Sequence, residues 1–159
     1  MKIGIDFDRV LFDTDAFKDH LFSTFPDFDT TYDRAKQDGV YDPERHARLM
    51  GVEPEEIYRE LDRADRFLYS DVEVLKEVDH RVVIVTRGDQ EFQELKLERS
   101  GVLEYVDGYI VVQDAPKGRD VDFLIDDREK EVQRADVPGH VMDRDREGLD
   151  EVLRRVGDG

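Results

Sequence analysis

Two aspartates, Asp6 and Asp8, close the first apolar run of this chain, Lys2-Ile3-Gly4-Ile5-Asp6-Phe7-Asp8. Burying one unpaired carboxylate is expensive, and two neighbouring ones repel unless a cation joins them. Carboxylates at the carboxyl end of a core strand stand where open α/β sheets hold ligands. The pattern of an apolar run ending in polar residues recurs. Val83-Ile84-Val85 ends in Thr86 and Arg87, and Phe123-Leu124-Ile125 ends in Asp126-Asp127, with Lys117 in the loop ahead. These residue types fit phosphoryl transfer. A carboxylate nucleophile forms an aspartyl-phosphate and divides one hard displacement into two easier ones. A second carboxylate two residues on can protonate the leaving oxygen and later activate water. Phosphate does not approach carboxylates without cations; Mg²⁺, held by few carboxylates and several waters, supplies one and Lys117 another. Thr86 and nearby backbone N–H groups suit phosphoryl oxygens. Arg87 divides between a phosphate contact and a surface salt bridge, and the Asp126-Asp127 pair could instead cap a following helix.

Positioning these groups requires a sheet. Five short apolar runs, Lys2–Phe7, Arg81–Thr86, Tyr109–Val112, Val121–Ile125 and His140–Met142, are continuous rather than alternating, as in buried parallel strands. Helices are expected between them: Gln90 to Ser100, closed by Gly101, then Arg128 to Ala135, and Arg146 to Val156 with Leu149, Val152, Leu153 and Val156 on one face. The alternation predicts a Rossmann-like three-layer α/β/α sandwich with about five parallel strands and right-handed crossovers. In such a sheet the ends of strands one, two and four lie together, within reach of the Lys117 loop.

One connection breaks the rhythm, because 73 residues separate the first two strands, from Asp8 to His80. The segment reads as mainly helical. Asp15–Phe25 stops at Pro26, Asp42-Pro43 opens a helix through Met50, Glu53-Pro54 opens another towards Leu61, and Asp71–Val78 closes the crossover. The expected organisation is a catalytic core of residues 1–13 and 71–159 with a small helical cap inserted at 14–70. The phenylalanines between Phe12 and Phe28 are expected to pack that insert on the core, and Arg45, Arg48 and Tyr58 to lie on its solvated face or touch substrate.

Composition narrows the class. The formal net charge is −17, and the bias is specific: 26 Asp against 15 Glu, and 17 Arg against 7 Lys. At 38% hydrophobic residues this suggests adaptation to very high salt, where the Debye length is about 3 Å or less and self-repulsion is screened; an acidic partner-binding surface is the alternative. The charge excludes unassisted nucleic-acid binding as an expectation. No cysteine is present, so disulfides, thiolate zinc sites and thiol nucleophiles are excluded. His20, His46, His80 and His140 show no metal or triad spacing. A first strand that begins at once argues against a signal peptide, and no apolar run approaches the ~20 residues of a membrane span. A soluble cytoplasmic protein is the resulting expectation, with oligomeric state unreadable.

At Ile5-Asp6-Phe7-Asp8-Arg9-Val10, Val83–Thr86, Lys117 and Phe123–Asp127 the sequence resembles the haloacid dehalogenase-like hydrolases, whose motifs occur in this order. The stretch Gly88-Asp89 to Ser100-Gly101, with Gln93, Lys96 and Leu97, also resembles the helix after their second motif. The resemblance covers residues 1–13 and about 80–145, not the insert. It implies that Asp6 is the nucleophile and Asp8 the general acid/base. Mg²⁺ would be held by Asp6, the backbone carbonyl of Asp8, Asp127 and nearby Asp126, and the phosphoryl group by Thr86 and Lys117. The acid at position 8 resembles the phosphatase branch, since the dehalogenases proper lack it and need no metal. An insert directly after the first motif resembles the helical cap that selects substrates. Position 9 departs, being Arg where many of these phosphatases have Gly. The implied activity is Mg²⁺-dependent hydrolysis of a small phosphorylated metabolite. A catalytically silent binding protein on the same fold is the alternative. A receiver domain fits poorly, because Thr86 and Lys117 precede the second acid pair.

Overall fold

The computed structural model describes residues 1–158. From strand β1 (Lys2–Ile5) the chain enters an insert of helices α1 (Thr14–Thr24) and α2 (Phe28–Thr31), strands β2 (Lys36–Gln37) and β3 (Val40–Tyr41), and helices α3 (Pro43–Met50) and α4 (Pro54–Glu60). Two 3-10 helices, Leu61–Phe67 and Ser70–Glu77, lead to β4 (Arg81–Arg87). Then follow α5 (Gln90–Ser100), β5 (Gly108–Val112), β6 (Phe123–Asp126), α6 (Glu129–Arg134), β7 (Gly139–Val141) and α7 (Leu149–Asp158).

The core is a five-stranded, all-parallel sheet in the order β5-β4-β1-β6-β7, the Rossmann-like α/β architecture expected. β1 is central, pairing Ile5 with Ile84 on one side and Ile125 on the other. The chain leaves β1 for β4 in one direction and later returns to its far side with β6. This reversal opens a crevice at the carboxyl ends of those strands. Ile3, Ile5, Val82 and Ile84 point to one face, where they meet Leu97 of α5 and Leu149 and Val152 of α7 in a continuous buried cluster. The other face carries a smaller cluster of Val83, Val85 and Val121, and the segment 113–122 crosses it without a helix.

Several ends follow their local chemistry. Asp13 caps α1 by accepting from the Ala16 N–H at 3.1 Å, Asp89 caps α5 through the Phe92 N–H at 2.9 Å, and Gly101 ends α5 with φ 81°. Other expectations are corrected. α7 begins at Leu149 rather than Arg146, because Arg146 and Glu147 N–H groups turn back to the Asp143 carbonyl and Asp71 accepts from the Leu149 N–H. The closing crossover helix is 3-10, not α. The insert also contains a hairpin: β2 and β3 pair antiparallel, joined by Asp38-Gly39, both left-handed at φ 53° and 80°.

The insert packs on the core through aromatic rings. Phe12, after β1, lies 5.4 Å from Phe17 of α1 and 6.2 Å from Phe67, and Phe92 of α5 lies 5.3 Å from Tyr41. The buried cluster runs on from the sheet into Ala47, Ile57 and Leu61 of the insert. Of the phenylalanines expected there, Phe22 is exposed instead. Among the described residues no helix is long and apolar enough to cross a membrane.

His46 holds the insert's centre. It is fully buried, with Nε2 3.1 Å from the Phe28 carbonyl and 2.8 Å from Thr31 Oγ1, and Nδ1 2.7 Å from the Tyr41 hydroxyl. A carbonyl only accepts, so Nε2 carries the proton and Nδ1 accepts from Tyr41. Burial holds the His46 imidazole below its ordinary 6.5, against the opposing pull of the Phe28 carbonyl. The unfolded chain therefore binds the extra proton first. This contribution is intact above 6.5 and is lost as pH falls below it. The melting temperature of the wild type is expected to fall more steeply than that of His46→Asn between about pH 7 and 5; parallel slopes would exclude His46 as the linked group.

Candidate active site

Immediately past Ile5 the backbone stays in the sheet for one more bond, the Asp6 N–H donating to the Ile125 carbonyl at 2.9 Å. The chain then turns sharply, with the Leu11 and Phe12 N–H groups both returning to the Phe7 carbonyl at 2.9 and 3.1 Å. That turn places Arg9 in the left-handed region, φ 65°, a conformation costing a non-glycine residue roughly 1 kcal/mol. The Arg9 N–H donates to Phe12 O and Thr14 Oγ1, and its guanidinium leans to Asp15 at 3.1 Å.

The turn separates the two first-strand acids into different environments. Asp6 is buried at 5% exposure and faces Asp126 and Asp127 from the end of β6; these three offer carboxylate oxygens all within 4.8 Å of one another. Lys117 Nζ donates to Asp6 at 3.0 Å and Asp126 at 2.7 Å. The loop carrying Lys117 is fixed by Gly118, where any Cβ would collide with the Ala135 carbonyl. Burial pushes Asp6 well above the usual carboxylate range; Lys117 opposes this, and Asp126, Asp8 and Asp127 reinforce it. Burial likewise raises Asp126 against the pull of Lys117. Desolvation works to lower Lys117, but Asp6, Asp126 and Glu131 outweigh it and keep the ammonium charged.

Asp8 points elsewhere. Its carboxylate accepts from Lys96 Nζ at 2.7 Å, Thr14 Oγ1 at 3.0 Å and Gln93 Nε2 at 3.2 Å. Burial pushes its pKa up, but Lys96, helped by Gln93 and Thr14, more than offsets this and holds it below the ordinary range. Gln93 Nε2 also donates to Thr86 Oγ1 at 2.7 Å, which ties the ends of β1 and β4 together through α5.

Of the residues singled out in the sequence, Asp6, Lys117, Asp126 and Asp127 therefore meet directly, and the Asp8 carboxylate stands outside that group. Thr86 is 1% exposed and set behind the cleft surface. The Arg87 guanidinium reaches the cleft but forms a two-pronged pair with Glu131 at 2.8 and 2.8 Å and donates to the Ala115 carbonyl at 3.0 Å. Of Arg45, Arg48 and Tyr58, none lines the cleft. Thr14, Gln93, Lys96 and Glu131 were not expected as site residues. The signal for Gln93 and Lys96 was their spacing, three apart on the face of α5 that also buries Phe92, Leu97 and Ser100.

The carboxylate triple suits a hard cation. Its donors are all oxygens, and an octahedral ion with bonds of about 2.1 Å spans ligand separations up to roughly 4.2 Å. Desolvated acids crowded together gain most from a divalent charge. The cleft above has a volume of about 210 Å³ and is walled by insert residues, among them Phe17, Lys18, Leu21, Phe28, Tyr32, Lys36 and Tyr41. Pockets for drug-sized ligands begin at roughly 300 Å³, so a small molecule fits.

No family model and no curated protein matches the chain by sequence. Solved structures do match. A haloacid dehalogenase-like family hydrolase from Xanthomonas campestris superposes with a TM-score of 0.62 at 16% identity, over 99% of this chain and 91% of the other. A putative HAD-hydrolase from Bacillus subtilis bound to magnesium gives 0.64 at 15%, covering 98% of each. The L-2-haloacid dehalogenase from Xanthobacter autotrophicus, with chloropropionic acid covalently bound, gives 0.60 at 15%, over 99% of this chain and 82% of that one. At these identities the likeness establishes a shared fold.

Proposed function

On the fold of the haloacid dehalogenase-like hydrolases, we propose that this chain is a Mg²⁺-dependent phosphohydrolase acting on a small phosphorylated metabolite. One observation carries the reading: Asp6, with Lys117 at 3.0 Å, shares a buried corner with Asp126 and Asp127 at the crevice where the sheet reverses. The Asp8 side chain in the same cleft favours phosphate esters over haloacids, because an ester's leaving oxygen needs a proton and a halide does not.

In this reading a carboxylate oxygen of Asp6 attacks phosphorus, the phosphorus–oxygen bond to the leaving group breaks, and an aspartyl-phosphate forms. Asp8 delivers the proton to the leaving oxygen. It then takes one from the water that attacks phosphorus, which frees Asp6 and inorganic phosphate. Lys96, Gln93 and Thr14 hold Asp8 in place through both steps. A dianionic phosphoryl group arriving beside Asp8 opposes Lys96 and raises its proton affinity when an acid is needed. Lys117 stabilises the phosphoryl oxygens, while Thr86 fixes Gln93 and Arg87 fixes Glu131 beside Lys117. Asp6, Asp126, Asp127 and the Asp8 backbone carbonyl would hold Mg²⁺, which when bound would neutralise charge on the phosphoryl group. The insert, residues 14–70, would act as a cap over the core, 1–13 and 71–159, excluding bulk water.

Release of inorganic phosphate from a panel of small esters, with Mg²⁺ and in low and high KCl, tests the reading. Turnover abolished by chelation is expected, with high KCl favoured if the acidic surface reflects a saline interior. Halide release from haloacids instead would indicate a dehalogenase, and no release from any ester in either salt a silent binding protein. Separately, Mg²⁺ at a hundred times its dissociation constant adds about 2.7 kcal/mol. It is therefore expected to raise the melting temperature by roughly 5–10 °C. Asp127→Asn should lose most of that rise, and a wild type indifferent to Mg²⁺ would remove the metal site.

A further inference from the structure

The chain carries only 7 lysines at a net charge of −17, yet four of them, Lys18, Lys36, Lys96 and Lys117, line the one cleft above Asp6. Lys117 is paired with Asp6 and Asp126, and Lys96 with Asp8. Lys18 and Lys36 differ: among the described residues neither takes part in a salt bridge or side-chain hydrogen bond, in a protein crowded with carboxylates. Both come from the insert, Lys18 from α1 and Lys36 from β2, and both set their ammonium groups over the same ring, 4.3 and 4.9 Å from the Tyr32 centroid. Phe17, Leu21, Phe28 and Val40 form apolar walls; of the acids lining the same cleft, Asp6 and Asp8 are paired with Lys117 and Lys96, and none is salt-bridged to Lys18 or Lys36.

Lys18 is half-buried and Lys36 exposed, and their two like charges converge on one ring, an arrangement that an anion held between them would stabilise. Burial, then the nearby Arg9, weigh against the charged form of Lys18, and Asp15 and Asp8 offset them only in part. Asp15 is already paired with Arg9 at 3.1 Å, so it is not a dedicated partner for Lys18. The aromatic ring provides a weak attraction for each amine but no charge.

We infer that the leaving group of the substrate carries a second anionic group, a carboxylate or a phosphate on a short carbon chain, received by Lys18 and Lys36 at Tyr32. This rests on the phosphohydrolase reading of the same cleft. The reacting phosphate would sit at Asp6 and Lys117, the second anion under the insert, and the chain between them along the apolar walls. A cleft of about 210 Å³ leaves room for few atoms beyond these two groups.

The experiment compares three-carbon phosphate monoesters that end in a carboxylate, in a second phosphate or in a neutral hydroxyl, at fixed low ionic strength with saturating Mg²⁺. A charge-assisted contact predicts kcat/KM roughly tenfold or more higher for an anionic ester than for the neutral one. The carboxylate and phosphate arms show which anion is preferred. In Lys18→Met/Lys36→Met that ratio is expected to fall to within about twofold of unity, mainly through KM, and Lys36→Arg to retain most of it. Equal turnover of charged and neutral esters by the wild type overturns the subsite and leaves the phosphohydrolase standing. Persistence of the preference in the folded double variant also overturns it. If no ester is hydrolysed, both readings fall together.

Discussion

Asp6→Asn is expected to lower phosphate-ester turnover by about four orders of magnitude or more, because it removes the atom that would bond to phosphorus. The same variant is expected to melt at or above the wild-type temperature in metal-free buffer. The sign follows from the surroundings: burial and the carboxylates of Asp126, Asp8 and Asp127 raise Asp6 above its unfolded value despite Lys117. Keeping it ionised at neutral pH therefore opposes folding, and a neutral amide of the same shape relieves that strain. The Asn side-chain oxygen can still accept from Lys117. A colorimetric phosphate assay and a melting curve on one preparation decide the matter. Wild-type turnover would remove Asp6 as nucleophile, whereas lost turnover with a collapsed fold would show only that Asp6 is structural.

Lys117→Met is expected to do the opposite to stability. Lys117 is 4% exposed and donates to Asp6 and Asp126, with Glu131 at 3.7 Å. Taking one partner from a buried ionic group leaves uncompensated charge and costs about 3–5 kcal/mol. For a chain of this size that lowers the melting temperature by roughly 10 °C, and turnover is lost as well. Adding Asp126→Asn to the same chain should restore part of the stability, and the two substitutions should be strongly non-additive. A Lys117→Met protein that melts with the wild type would mean that the buried acids are already neutral.

The sheet was legible because parallel strands buried on both faces read as unbroken apolar runs, as Val82–Val85 and Phe123–Ile125 do. Asp42-Pro43 and Gly101 announced helix ends by chemistry that acts within a few residues. Asp38-Gly39 announced the hairpin equally well, but its strands are two residues long and present no alternation to notice. The helix at 70–77 read as α because periodicity alone does not separate three residues per turn from 3.6 over so short a span, and the 3-10 helix at 61–67 was not read at all. In the site, the acids and Lys117 could be placed because each ends or precedes a strand. Lys96 and Gln93 could not, since a polar residue on a helix is read as solvent-facing unless the partner buried beneath it is known. Asp8 supplies that partner from 88 positions away.

The central position of β1 has a consequence for how the molecule comes into being. Its two neighbours are β4, from Arg81, and β6, ending at Asp126. At a synthesis rate of 5–20 residues per second, Asp6 and the apolar run before it wait roughly ten seconds on the ribosome before both flanks exist. A fragment ending before β6 can neither complete the sheet nor gather the carboxylates, so the nascent chain carries a sticky, unmatched edge until Asp126 has been made. Quality-control factors that bind exposed strands should meet this protein early, and ribosome-stalled chains ending before Asp126 should remain protease-sensitive.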